Sequence, residues 1–166
     1  MTRVEGLVVR EIGAQEFHLL WPIFLEVIAA GDTYTYPPDM PFDEARRLWT
    51  GGNVRCFLAE IGRSCVGGYM LHPNQPGLGN HVAHGGYMVA AAARGRGIAS
   101  ALCMHSLDRA RRAGFTAMQF NCVVSTNEVA VRLWQKHGFS IVGRVPNAFR
   151  HSRDGLVDVF VMHRFL

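Results

Sequence analysis

The stretch Met88-Val89-Ala90-Ala91-Ala92-Ala93-Arg94-Gly95-Arg96-Gly97-Ile98-Ala99 constrains the fold more than any other. Apolar residues run into it as a strand, a small basic turn follows, and a run of helical period begins at once. Gly95 and Gly97 permit tight backbone geometry with no side chain in the way. The amides that open a helix lack internal acceptors and carry the positive end of its dipole, so such a turn receives phosphate or pyrophosphate. Arg94 and Arg96 add charge beside it. Neither G-x-x-x-x-G-K-[ST] nor G-x-G-x-x-G occurs, which excludes the two commonest nucleotide signatures.

One domain spanning residues 1–166 is expected from the length, with a core of its own. With 49% hydrophobic and 18% charged residues the composition is that of a folded globular chain. No apolar run approaches the roughly 18 residues of a membrane span, and Met1–Gly6 lack the apolar core of a secretion signal. The expected compartment is therefore the cytoplasm, with no membrane partner. Cys56, Cys65, Cys103 and Cys122 show no C-x-x-C spacing and read as buried thiols. A net charge of +4, spread along the chain and not interleaved with aromatics, suits an anionic small ligand and argues against nucleic acid.

In order, Leu7–Glu11 reads as a strand and Ala14–Ala30 as a helix broken at Pro22 and closed by Gly31. The loop 32–41 carries Tyr34 and Tyr36, either a lining for a substrate site or a cover for the core's edge. Phe42–Thr50 is a short helix, and Arg55–Ile61 with Ser64–Leu71 a hairpin. His81–Ala90 leads into the phosphate turn, with Gly85-Gly86 marking a bulge or the close approach of another backbone. The helix after Gly97 ends at Gly114, and Thr116–Val124 is a strand with Met118, Phe120, Cys122 and Val124 on one face and Gln119 and Asn121 on the other. Ser125-Thr126-Asn127-Glu128 has the capping-box pattern for the next helix. Phe139–Val145 and Leu156–Phe165 are the last strands, with 146–155 a polar loop.

The residues Arg94-x-x-Gly97-x-Ala99 match the Q/R-x-x-G-x-G/A signature of the GNAT family of N-acetyltransferases. About thirty residues on, Asn127-x-x-Ala130-x-x-Leu133-Trp134-x-x-x-Gly138-Phe139 resembles the same family's N-x-x-A-x-x-L-Y-x-x-x-G-F pattern. The resemblance covers essentially the whole chain. It implies an α/β fold with a central mixed sheet of about seven strands, splayed between strands 4 and 5 and flanked by about four helices. It further implies acetyl-CoA in that opening, and no metal. By position, the main chain of Met88 and Val89 meets the pantetheine arm and acetyl carbonyl, and the amides of Arg94, Gly95, Arg96, Gly97, Ile98 and Ala99 take the pyrophosphate. Asn127 hydrogen-bonds the pantetheine region. Family members are often dimers, so a homodimer is expected on the same grounds. The segments 73–79, 120–127 and 145–151 are similar to the branch containing fungal azetidine-2-carboxylate (proline-analogue) acetyltransferases.

Two departures matter. The family's frequent Tyr, which protonates the leaving thiolate, is replaced by Trp134, whose indole N–H is no useful acid. His84 stands where that branch has an asparagine touching substrate. The strand before the turn carries no Asp or Glu, so His81, His84 and Tyr87 are what it offers for handling the amine's proton, His84 and Tyr87 on one side only if Gly85-Gly86 bulges. Asn121, facing the strand split, is expected to orient substrate or water, and Tyr34 and Tyr36 to line the substrate site. Arg150 and Arg153 could grip a carboxylate. His81 and His84, three apart on a strand, make a poor metal pair. The expected activity is direct transfer of acetyl from acetyl-CoA to a small-molecule amine, an amino or imino acid among the options. A protein N-terminal or lysine acetyltransferase and a non-catalytic acyl-CoA sensor are the alternatives.

Overall fold

A computed structural model describes residues 4–166; the reading of the N-terminus therefore falls partly, at Met1–Arg3, outside the described residues. Seven strands form one sheet: β1 (Leu7–Ile12), β2 (Arg55–Ile61), β3 (Ser64–Pro73), β4 (Val82–Val89), β5 (Ala117–Val124), β6 (Ser140–His151) and β7 (Gly155–Phe165). Their order is β1-β2-β3-β4-β5-β7-β6. Every pair is antiparallel except β4 with β5. Four α-helices cover the faces: α1 (Trp21–Ala30), α2 (Phe42–Thr50), α3 (Ile98–Arg112) and α4 (Glu128–Lys136). The α/β mixed-sheet expectation holds.

The sheet is apolar on both sides, and each side closes its own core. One combines Leu102, Leu107, Met118, Phe120, Trp134 and Phe139, beneath α3 and α4. The other combines Phe17, Phe24, Ile28, Trp49, Leu58 and Met70, beneath α1 and α2. Each large side chain so buried contributes about 1.5–3 kcal/mol by leaving water. Pro22 splits the first helical stretch as expected: a 3-10 turn over Ala14–Leu19 precedes α1, and Pro22 sits in the first turn, where its missing N–H costs nothing.

Four local expectations need correction. Gly85 and Gly86 do not bulge; β3 and β4 pair in unbroken register from Gly67–Val89 to Pro73–Ala83. These glycines instead make room for side chains, since a Cβ on Gly86 would meet the Tyr34 hydroxyl at 3.0 Å and the Met70 methyl at 3.1 Å. The strict alternation along β5 breaks at a register shift between Phe120 and Val123. Val123 therefore joins Met118 and Phe120, while Cys122 and Val124 pack with Phe149 and Val159. The N-cap of α4 is Asn127, whose side chain accepts the Ala130 amide, and not Ser125. Finally, 146–155 is not a loop. β6 runs on to His151, passing Pro146-Asn147-Ala148 as an irregularity that turns on Asn147 at φ 52°. The Asp158 carboxylate accepts the Asn147 amide at 2.9 Å and pairs with Arg144, which holds that irregularity in the ladder.

Candidate active site

β4 and β5 stay paired for three residues, Val82–Ala117, Ala83–Met118 and His84–Gln119, and then part. The parting opens a cleft of about 670 Å³ between the two cores. The pairing on the other edge of β4 decides which backbone groups face it. Asn74 N–H donates to Val82 C=O and Ala90 N–H to Val66 C=O, so even-numbered residues of this strand spend their main chain on β3. The main chains of Gly85, Tyr87 and Val89 therefore point into the cleft. Val89 thus turns its main chain to the cleft, whereas the Met88 carbonyl packs against Gly67.

At one end lies the basic turn. Gly97 adopts φ 81°, a left-handed conformation that a side chain would strain, and begins α3. The first helical bond runs from Ala101 N–H to Gly97 C=O at 3.0 Å, leaving the amides of Ile98, Ala99 and Ser100 without helical acceptors. Gly95 is also left-handed, at φ 75°, and Arg94 and Arg96 are exposed beside it. Arg94, Ala99 and Asn127 line the cleft. Asn127 caps α4 through Oδ1, accepting the Ala130 amide at 3.2 Å, which leaves its Nδ2 for a ligand. Backbone donors, a helix dipole and two guanidinium groups together fit a pyrophosphate.

Side chains from distant segments build the other end. His84 lies on the α1/α2 side of the sheet, and its Nδ1–H donates to the Gln119 carbonyl at 3.0 Å, which leaves Nε2 as a bare acceptor. Burial, with the His72 ring 5.1 Å away, pushes its pKa down to about 4, so the ring is neutral at physiological pH. Asn121 sits in an amide chain: Gln119 Nε2 donates to its Oδ1 at 2.9 Å, and its own Nδ2 donates to Asn74 Oδ1 at 2.7 Å. Tyr34 and Tyr36 stack at 5.2 Å, and both line the cleft. Their hydroxyls are spoken for: Tyr34 donates to the Tyr87 carbonyl at 2.9 Å, and Tyr36 accepts from the Trp49 indole at 3.2 Å. They thus both line the site and cover the core.

With no bulge in β4, Tyr87 projects to the opposite side from His84. Its hydroxyl lies 2.6 Å from Ser106 Oγ inside the α3 core, and burial raises its pKa well above the usual phenol value. The Trp134 ring packs 4.9 Å from Tyr87 and 4.8 Å from Phe120, presenting an apolar wall where the family's tyrosine stands. Residues the sequence reading left aside also line the cleft: Asp32 and Thr33 before the tyrosines, and His151 and Asp154 at the β6–β7 turn beside Arg153. Thr33 Oγ1 is buried without a hydrogen-bond partner among the described residues. No run of sequence spacing joins residues 32 and 151; the signal lies only in the contact between the two loops. Arg150 is exposed on β6 and does not line the cleft.

A parallel pair that splits midway and a left-handed glycine turn at the head of the following helix thus frame one cleft in the sheet of an α/β fold. A sequence model of the Acetyltransferase (GNAT) family matches residues 17–139, and the chain belongs to that family of acetyl-CoA-dependent acyltransferases. It is 46% identical to a GNAT acetyltransferase from Kribbella flavida, with TM-score 0.91 over 98% of this chain and 99% of that one. It is also 34% identical over 99 residues to the N-acetyltransferase aca1 of Schizosaccharomyces pombe, a match spanning 59% of this chain and 47% of that protein. The chain thus spans less than half the length of that curated relative. The fold is shared with yncA from Salmonella typhimurium, solved with acetyl-CoA, at 19% identity and TM-score 0.81 over 98% and 95% of the two chains. Among the described residues no helix is long and apolar enough to cross a membrane.

Proposed function

We propose that this chain transfers the acetyl group of acetyl-CoA to the amine of a small molecule by direct attack within a ternary complex. The observation that carries the reading is the cleft itself, which opens to the phosphate turn at one end and to a polar, loop-lined chamber at the other. The amides of 95–99 and the guanidinium groups of Arg94 and Arg96 hold the pyrophosphate, the Arg94 amide being spent on the Ala91 carbonyl. Asn127 Nδ2 and the outward main chain of Val89 hold the pantetheine arm and the thioester carbonyl, where an N–H donor stabilises the developing oxyanion.

The acceptor nitrogen must arrive neutral. His84 Nε2, a bare acceptor at physiological pH, receives its N–H as the carbon–nitrogen bond forms, and Asn121 orients it or the water that carries the proton away. Collapse of the tetrahedral species expels the CoA thiolate. A thiol of pKa about 8.5 leaves without a dedicated acid, consistent with Trp134 in place of tyrosine. Cys122 lines the cleft, and burial raises its thiol pKa, which disfavours an acyl-cysteine intermediate. The branch resemblance makes amino and imino acids the first acceptors to try, and the chain's expected single-domain, cytoplasmic and homodimeric character accompanies the same reading.

Thiol release from acetyl-CoA across a panel of amino acids, cyclic imino acids and simple amines tests this. Turnover with a small amine supports it. Tight acetyl-CoA binding with no acceptor turned over would favour a sensor, and acetylation of peptides alone a protein acetyltransferase.

A further inference from the structure

The β6–β7 turn is fastened to the end of α1. Ser152 N–H donates to the Gly31 carbonyl at 2.9 Å and Ser152 Oγ to the Ala30 carbonyl at 2.8 Å. This latch brings the turn to the acceptor loop and sets His151, only 7% exposed, into the cleft wall.

The hydrogen bonds around His151 fix where its proton sits. The amides of Arg153 and Asp154 both donate to Nδ1, each at 3.2 Å. An amide nitrogen can only donate, so the neutral ring carries its hydrogen on Nε2. The Asp154 carboxylate lies 3.2 Å from Nδ1 and makes no contact with Nε2. The remaining tautomer would set a hydrogen against two amide hydrogens. His151 Nε2 is therefore a donor, while His84 Nε2, by the same reasoning, is an acceptor. Arg153 lines the cleft beside it, Asp154 occupies the Nδ1 side, and Asp32 adds a carboxylate to the chamber.

We infer that His151, with Arg153 behind it, reads a carboxylate on the acceptor, so that the chamber selects amines bearing a carboxyl group over bare amines. This inference rests on the acetyl-transfer reading above and assigns a specificity-determining residue within it. The opposed polarity of the two imidazoles suits the two ends of such a molecule: an N–H at His84 and an anionic oxygen at His151. The exposed Arg153 guanidinium supplies charge, and the buried imidazole supplies a fixed direction.

The test uses the acceptor that the wild-type protein turns over best, together with its carboxamide and its decarboxylated amine. The carboxylate form is expected to have kcat/KM about 10- to 100-fold above both analogues, the range of one lost hydrogen bond to a charged group. His151→Asn keeps an acceptor for the two turn amides but removes the Nε2 donor. It is expected to raise KM for the carboxylated acceptor about 10-fold or more, leaving KM for acetyl-CoA and the rate with the decarboxylated amine, which offers Nε2 no oxygen, near wild type. A purely structural His151 would disturb all three acceptors alike, and that result overturns the inference. Equal wild-type rates for acid, amide and amine overturn it independently of any variant. Absence of thiol release with every amine would instead overturn the acetyl-transfer reading on which it rests.

Discussion

The two ends of the cleft are built on different principles. The cofactor end is main chain: left-handed Gly95 and Gly97, the unpaired amides that open α3, and the outward edge of β4. The end proposed for the acceptor is side chain: His84 and Asn121 from the sheet, Tyr34 and Tyr36 from the loop after α1, and His151 and Arg153 from the β6–β7 turn line it. A backbone site tolerates almost any neighbouring sequence provided its conformation is kept. A side-chain site changes its ligand with single substitutions. The division lets one carrier serve many acceptors, and it makes the two ends separable by mutation.

The largest break in that comparison comes from the cofactor end. Gly97→Val places a β-branched residue at φ 81°, a strain of about 1–2 kcal/mol in the backbone that disturbs the turn and the amides opening α3. Acetyl-CoA affinity measured by calorimetry is expected to fall by more than about tenfold. If affinity survives, the pyrophosphate is not bound at this turn.

Of comparable size is His84→Ala, expected to lower kcat by about 10²-fold while KM for acetyl-CoA stays constant. The same residue makes a pH prediction. Its folded pKa of about 4 lies below the ordinary 6.5 because of burial, so the unfolded chain binds the extra proton first. The stability it contributes is fully present above about pH 6.5 and is lost as pH falls through about 4, a swing of about 2–3 kcal/mol. Denaturant melts of wild type and His84→Gln from pH 7 to 4 should converge as the pH drops; parallel curves would show that the imidazole is not held neutral.

Smaller effects sharpen the boundary between the ends. Asn127→Ala removes the α4 cap and is expected to cost about 1 kcal/mol of stability while weakening acetyl-CoA binding. Loss of stability alone would reduce Asn127 to a cap. Tyr34→Phe, which deletes only the bond to the Tyr87 carbonyl, should cost about 1 kcal/mol in a thermal melt and leave acetyl-CoA affinity intact.

The same division explains what could be read from residue order. The turn at Arg94-x-x-Gly97-x-Ala99 was legible because a tight turn into a helix needs glycine at fixed offsets from the helix start, and those offsets are local. The helices at Phe42–Thr50 and after Gly97, and the hairpin of β2 and β3, were legible from hydrophobic period and turn residues. The β5 bulge was not, because it answers to pairing with β7, more than thirty residues away. The continuation of β6 through Pro146-Asn147-Ala148 was hidden likewise: those residues signal a turn, and Asp158 across the ladder overrides them. His151 entered only as the last residue of the 145–151 resemblance, with no role attached to it. Its place depends on Ser152 meeting the carbonyls at the end of α1, a contact 122 residues apart in the chain.

The most direct test of the account is a crystal structure of the protein with acetyl-CoA. It predicts the pyrophosphate on the amides of 95–99, the pantetheine arm between β4 and β5 along Val89 and Asn127, and the acetyl group facing the chamber of His84 and Asn121. A cofactor bound outside the strand split, or an acetyl group turned toward Tyr87 and the α3 core, would contradict it.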